Sequence, residues 1–462
     1  MIDTLKAPAP ENEFSTLSEE KTKKHIKLTE INYRRNTESD FTEKIEELDK
    51  NFNYSNNSDS YWGEPELSLL YGTPLYDQAS PTQKKALNHL YWATQYNQTA
   101  ATEANAVLYN QVTAGVFGAF RDYETLCQEL DLETEQERHH IHAFHMMGYK
   151  TKKALLGSAF NASIQGKSYK KNGSPQQGRS QFFSFNLQSS PLSGYQESLS
   201  RFVTNKVMLK NQAHCYSTYL RKLEEKGEPI PAQTTGLLGQ LGPKPLLQFF
   251  TLNCGSSPFL ASVFFVTRFM ANMLVKNYEY RYSHYHKELE RNGEFIPDPV
   301  AVSHYHMLDE AYHTTTSQLI AQDLYKDFSK PTAYEKFLAN LTVYRAQVVG
   351  LSGLSGGIPA IFRNDDTFAL SFYRLLQSPV FNMSSQEALE WLEKCMCQEH
   401  DGFHLTLKYH QRLLSDLRRL FEPIDYLWVV NREMSVMASG GSIDKAIKNN
   451  IKAFERFSKT VA

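Results

Sequence analysis

The segment His306-Met-Leu-Asp-Glu310-Ala-Tyr-His313 sets two imidazoles and a carboxylate at i, i+4 and i+7. At about 100° per residue in an α-helix, Glu310 falls about 40° from His306 and His313 about 20° to the other side, so the three donors share one stripe and can converge. Glu137-Arg-His-His140 repeats the Glu-x-x-His core earlier in the chain. Two such helices, each facing a helix that adds one more Glu, build an inward-pointing site for two metal ions. The chemistry this implies is oxygen activation.

A Glu-x-x-His is expected about once by accident in a chain of this composition, so neither copy carries weight alone. The longer His-x-x-x-Glu-x-x-His pattern has a chance expectation of only about 0.04 and is the specific part of the signal.

If each Glu-x-x-His helix pairs antiparallel with its neighbour, the ligands sit level only when the turn lies midway between the two glutamates. For Glu310 the partner is Glu279 of Asn-Tyr-Glu279-Tyr-Arg, and the midpoint falls at residues 294 to 295. Asn292-Gly293 there tolerates positive φ, and Asp298-Pro299 reads as an N-cap followed by proline at the first helical position. For Glu137 the partner is Glu103 of Ala-Thr-Glu103-Ala-Asn, with the midpoint at residue 120, inside the weaker break Gly118 to Asp122. The expected metal ligands are therefore Glu103, Glu137, His140, Glu279, His306, Glu310 and His313. His306 is one histidine more than an ordinary di-iron site needs. A third neutral imidazole takes the place of a water or open position on one metal and alters its reaction with oxygen.

This order of seven ligands resembles the AurF-type di-iron N-oxygenases, ferritin-like enzymes that oxidise arylamines, over roughly residues 85 to 330. In size the chain is more similar to the larger CylC-type dimetal-carboxylate halogenases. That resemblance implies a ferritin-like four-helix bundle and two irons, with manganese in part as the alternative. It further implies O2, chloride, and chlorination of an unactivated aliphatic carbon of a fatty acyl group on an acyl carrier protein. An electron donor or reductase is implied as a further partner, and a homodimer is left open.

Composition fits this reading. The 462 residues, 41% hydrophobic and 13% aromatic, suffice for a sizeable core. A net charge of −2 gives no electrostatic footprint for nucleic acid. Five scattered cysteines do not form a disulfide framework, no signal-like apolar region opens the chain, and no stretch of about 18 residues is uninterruptedly apolar. A cytoplasmic protein without a membrane span is expected.

The fold class expected is all-α. Residues 1 to 60, poor in branched aliphatics, read as a mobile N-terminal extension with one short helix. Residues 61 to 330 read as the bundle: core helices from about 84 to Phe120 and from 123 to about 162, then from Pro258, and from Pro299 to about Phe328. An insertion at 165 to 257 expands the crossover, and a helical extension fills 331 to 462. Lys167, Lys170, Lys171 and Arg179 in the insertion read first as a solvated loop, with a docking patch for an acidic carrier as the sharper alternative. A helix is expected over 196 to 226. The glycine cluster 351 to 357 fits no phosphate loop and reads as a linker.

Other chemistry-bearing residues are set aside. Cys395, Cys397 and His400 lack zinc-site spacing. His139 and His142 point away from the ligand stripe, and His145 reads as an ordinary helix histidine. Asp309 and His304 fall off the Glu310 face, Asp309 as a surface or outer carboxylate. Tyr278, Tyr280, Tyr282 and Tyr285 read as packing residues. Arylamine N-oxygenation or aliphatic hydroxylation is the competing reading, and iron storage ranks last.

Overall fold

The structure is a computed structural model and describes residues 23–157, 225–226, 253–354 and 366–461. The expected carrier patch, the helix over 196 to 226 but for its last two residues, and the last three residues of the glycine linker lie outside these residues. Every regular element among them is helical. The described residues open with α1 (Lys24–Glu38), α2 (Thr42–Asn51), α3 (Tyr54–Asn57) and α4 (Pro74–Gln78). The bundle follows as α5 (Pro81–Phe117), α6 (Glu124–Leu156), α7 (Pro258–Asn292) and α8 (Asp298–Gln322). The C-terminal part comprises α9 (Ala333–Ala346), α10 (Asp366–Gln377), α11 (Ser385–Cys397), α12 (Asp401–Phe421), α13 (Val429–Arg432), α14 (Ser435–Gly440) and α15 (Ile443–Val461).

Local chemistry explains where the bundle helices begin and end. Ser80 and Gln83 form a reciprocal capping box ahead of Pro81, and Ser257 caps the start of α7 ahead of Pro258. Gly293 at φ 66° closes α7, the left-handed conformation that a residue without Cβ adopts without strain. Asp298 does not cap α8 as the sequence suggests. Pro297 holds that position, and Asp298 instead exchanges hydrogen bonds with Asn57 of α3. The α5–α6 turn carries a non-glycine residue, Asp122, at φ 76°. Helix α8 ends at Gln322 and gives way to a 3-10 turn over Leu324–Asp327, short of the expected limit.

Helices α5 and α6 form one antiparallel hairpin and α7 and α8 the other; α7 lies against α5 and α8 against α6. The interior is layered. One apolar cluster contains Leu90, Tyr96, Phe144, Tyr282 and Val300. A second contains Phe117, Leu130, Phe265, Val266 and Ile320. Each draws on all four helices at opposite ends of the bundle, leaving the polar residues between them in the middle. By length and composition α7 could cross a membrane, but 67% of its apolar window is buried within the protein. Arg268 and Asn272 are buried in the same helix.

The N-terminal segment differs from expectation. Residues 24–57 form three helices rather than one, and α1 and α2 lie against α6 and α8. The contacts of α1 are polar: Asn32 and Asn36 are buried and reach Glu129, whereas α2 buries Ile45 in an apolar cluster. A segment that docks through amides shows little of the apolar periodicity on which helix recognition depends.

Candidate metal centre

All seven expected ligands are buried in the middle of the bundle. Each core helix contributes: Glu103 from α5, Glu137 and His140 from α6, Glu279 from α7, and His306, Glu310 and His313 from α8. Their donor atoms form two groups, each lying within 4.8 Å of one another: Glu103, His140, His306 and Glu310 in one, Glu137, Glu310 and His313 in the other. Glu310 belongs to both. Glu279 enters neither group. Its Oε1 accepts from His306 Nδ1 at 2.6 Å, so it stands behind that ring and becomes a donor only by turning its carboxylate away.

Each histidine is gripped on its far side. His140 Nε2–H donates to Asp309 at 3.2 Å, His306 Nδ1–H to Glu279, and His313 Nε2–H to Gln136 Oε1 at 2.8 Å. The opposite nitrogens face carboxylates: His313 Nδ1 lies 2.7 Å from Glu310 and 3.4 Å from Glu137, and His306 Nε2 lies 2.8 Å from Glu103. Outer hydrogen bonds of this kind select the tautomer and the ring orientation of a metal-binding imidazole. Asp309 is thus buried, and the surface alternative for it does not hold. Helix α8 is enclosed by α6, α7 and α1, so a side chain off the Glu310 stripe still points into protein.

The electrostatics are those of a crowded, desolvated carboxylate site. Burial, reinforced by Glu137, pushes the Glu103 carboxyl up to about 8. Burial opposes ionisation of Glu310 also, but the His313 imidazole outweighs it and holds that carboxyl below its ordinary range. His306 and His313 are raised well above the usual imidazole value: burial works against their charge, and Glu279 and Glu103 for His306, Glu310 and Glu133 for His313, overcome it. Protons here do the work of cations.

The donor set fits a metal pair on a further observation. Glu103 Oε2, Glu137 Oε2, Glu279 Oε2 and His140 Nδ1 are buried without a hydrogen-bond partner. Unpartnered buried polar atoms carry a free-energy penalty of roughly 1–3 kcal/mol each, and these four all belong to expected ligands. A coordinated ion removes that penalty.

Residues outside the expected set also shape the centre. Arg268 Nη2 donates to Glu137 Oε1 at 2.7 Å, and its Nη1 to Glu133 at 2.7 Å and to Asn110 at 3.1 Å. The sequence offers one signal for this: a lone arginine in a helix apolar nearly all round must be buried, and a buried charge must be paired. Gln136 offers none beyond its place beside Glu137. The histidines set aside do lie elsewhere. His139 and His142 pair with Glu46 and Asp49, and His145 is exposed. His304 bonds to Ser283 and stacks on His286, and His400 bonds to the Cys395 carbonyl.

A family model described as acyl halogenase, CylC-like, matches residues 24–458, nearly the whole chain. The chain belongs to the CylC-like acyl halogenase family. No curated protein and no solved structure matches it. The match begins at α1 and ends within α15, so it takes in the N-terminal helices and the C-terminal part along with the bundle.

Proposed function

We propose that the protein is an O2-dependent dinuclear iron halogenase, a cytoplasmic oxidoreductase that chlorinates an aliphatic carbon of an acyl chain held on a carrier protein. The observation that carries this reading is the pair of donor groups sharing Glu310, in a chain of the acyl halogenase family. Glu103, His140 and His306 would hold one ion, Glu137 and His313 the other, and Glu310 would bridge them; manganese in place of one iron suits the same hard carboxylates and imidazoles. Glu279 would join the set on releasing His306 Nδ1. When bound, the ions supply the redox capacity to couple reduction of dioxygen by an external donor with oxidation of a C–H bond and delivery of chloride to that carbon.

The chain's own groups prepare this chemistry. Phe144 stacks edge-on against His306 at 4.8 Å and Tyr96 at 6.1 Å, an apolar wall that keeps water from one side of the centre and strengthens its electrostatics. Asp309 and Gln136 fix the rings of His140 and His313, so the donors are aligned before an ion arrives. Glu103, with its raised affinity for a proton, and His306 share a proton along the 2.8 Å bond between Nε2 and Oε1.

The deciding experiment offers reduced, iron-loaded protein a medium-chain acyl carrier protein with O2 and chloride and analyses the acyl chain by mass spectrometry. A chlorinated chain is expected. A hydroxylated chain, or oxidation of an arylamine with no change to the acyl group, would replace this reading by the oxygenase alternative.

A further inference from the structure

We infer that Arg268 makes the two ion positions unequal: by holding Glu137 it weakens the position built from Glu137, Glu310 and His313, so the protein fills with metal in a fixed order. The inference rests on the dinuclear reading above and concerns residues that reading does not use.

Arg268 is buried on α7 and bonds to both Glu133 and Glu137 through separate nitrogens. Its guanidinium keeps its charge at any pH the protein survives. Two effects follow at the position it touches. The Glu137 oxygen that Arg268 holds, Oε1, is the one 3.4 Å from His313 Nδ1, so the guanidinium competes with an ion for that atom. A divalent ion there also lies near a permanent positive charge in a water-poor interior, where repulsion is far less screened than in solvent.

The other position lacks the guanidinium contact, and the half-buried Lys276 of α7 acts on Glu279 and on Glu310, which both positions share. It gathers four donors against three, and no arginine or lysine contacts Glu103, His140 or His306 among the described hydrogen bonds and ion pairs. That position therefore fills first. Glu133 tempers the difference: it shares the guanidinium with Glu137 and returns a negative charge to the neighbourhood. Arg268 acts through Glu137 and is a positioning residue.

The test is anaerobic titration of the full-length, metal-free protein with Mn2+ alone, following bound and free ion by electron paramagnetic resonance and heat by calorimetry. The wild type is expected to take up two ions per chain in steps whose dissociation constants differ by at least about tenfold. In the charge-balanced variant Arg268→Gln/Glu133→Gln the weaker constant tightens about tenfold and the tighter one stays. In Glu133→Gln, nearly isosteric and the safer variant for folding, the weaker constant loosens further and the tighter one again stays. Two equal steps in the wild type, or both constants moving together in either variant, overturn the role given to Arg268 while leaving two ions in place. Saturation at one ion per chain overturns the dinuclear reading and this inference with it.

Discussion

Glu310 is the residue on which both donor groups depend. Each of the other converging ligands serves one group, so their loss leaves a partial site, whereas loss of Glu310 removes a donor from both. It is also the carboxylate most strongly held in its ionised form, by His313 in first place. Glu310→Ala is therefore expected to leave well under one tightly bound ion per chain after gel filtration, measured by elemental analysis. Near-normal content in that variant would remove the bridging assignment. The substitution also strands His313 Nδ1 with Glu137 alone, 3.4 Å away, so the metal-free variant should not exceed the wild type in stability.

At the scale of elements, α1 participates in the centre although it holds no ligand. Asn36 Oδ1 accepts from Gln136 Nε2 at 2.9 Å, which turns the Gln136 carbonyl toward His313 Nε2. A chain of amides thus links the N-terminal helix to a metal-facing ring. Asn36→Leu is expected to lower stability by about 1–3 kcal/mol, the loss from stranding buried polar partners, seen as a lower urea midpoint with unchanged slope. An unchanged midpoint would mean that α1 does not seat there. This contact also marks where sequence reading runs out. The four core helices were legible because ligand spacing, capping serines, prolines and Gly293 are local signals that agree with one another. The seat of α1 was not, because it rests on buried amides that follow no period. The roles of Gln136 and Asp309 depend on which faces of α6 and α8 are enclosed, a property of the assembled bundle. Glu279 shows the same limit: its level on α7 follows from the midpoint of the turn, but its commitment to His306 Nδ1 is a matter of side-chain rotation.

For the molecule as a whole, the site ties stability to pH and metal in opposite senses. Without metal, Glu103 titrates near 8 in the folded chain against an ordinary 4.5, and His306 and His313 titrate well above 6.5. A group with a raised value contributes stability that is complete below its unfolded value and is lost as pH rises through its folded value. Between about pH 6 and pH 8 the folded, metal-free protein thus holds more protons at these groups than the unfolded chain, and its melting temperature should fall across that window. Metal must displace those protons, so binding at about pH 7 should release protons to the buffer and tighten as pH rises. Calorimetry in buffers of different ionisation heat counts them. A metal-free protein whose melting temperature climbs over the same window would contradict the protonation drawn here.

The docking of α1 also bears on how the protein is made. His25 bonds to Asp327, 302 residues on, and Asn32 to Thr316, 284 residues on. A ribosome adding about 5–20 residues each second emits the seat of α1 roughly 15–60 s after α1 itself. Through that interval the buried amides of Asn32 and Asn36 must be satisfied by water, and Gln136, on α6, has no partner from α8. Helix α1 is therefore among the last to be placed, and the metal centre gains its final orientation only when α1 closes over the completed bundle.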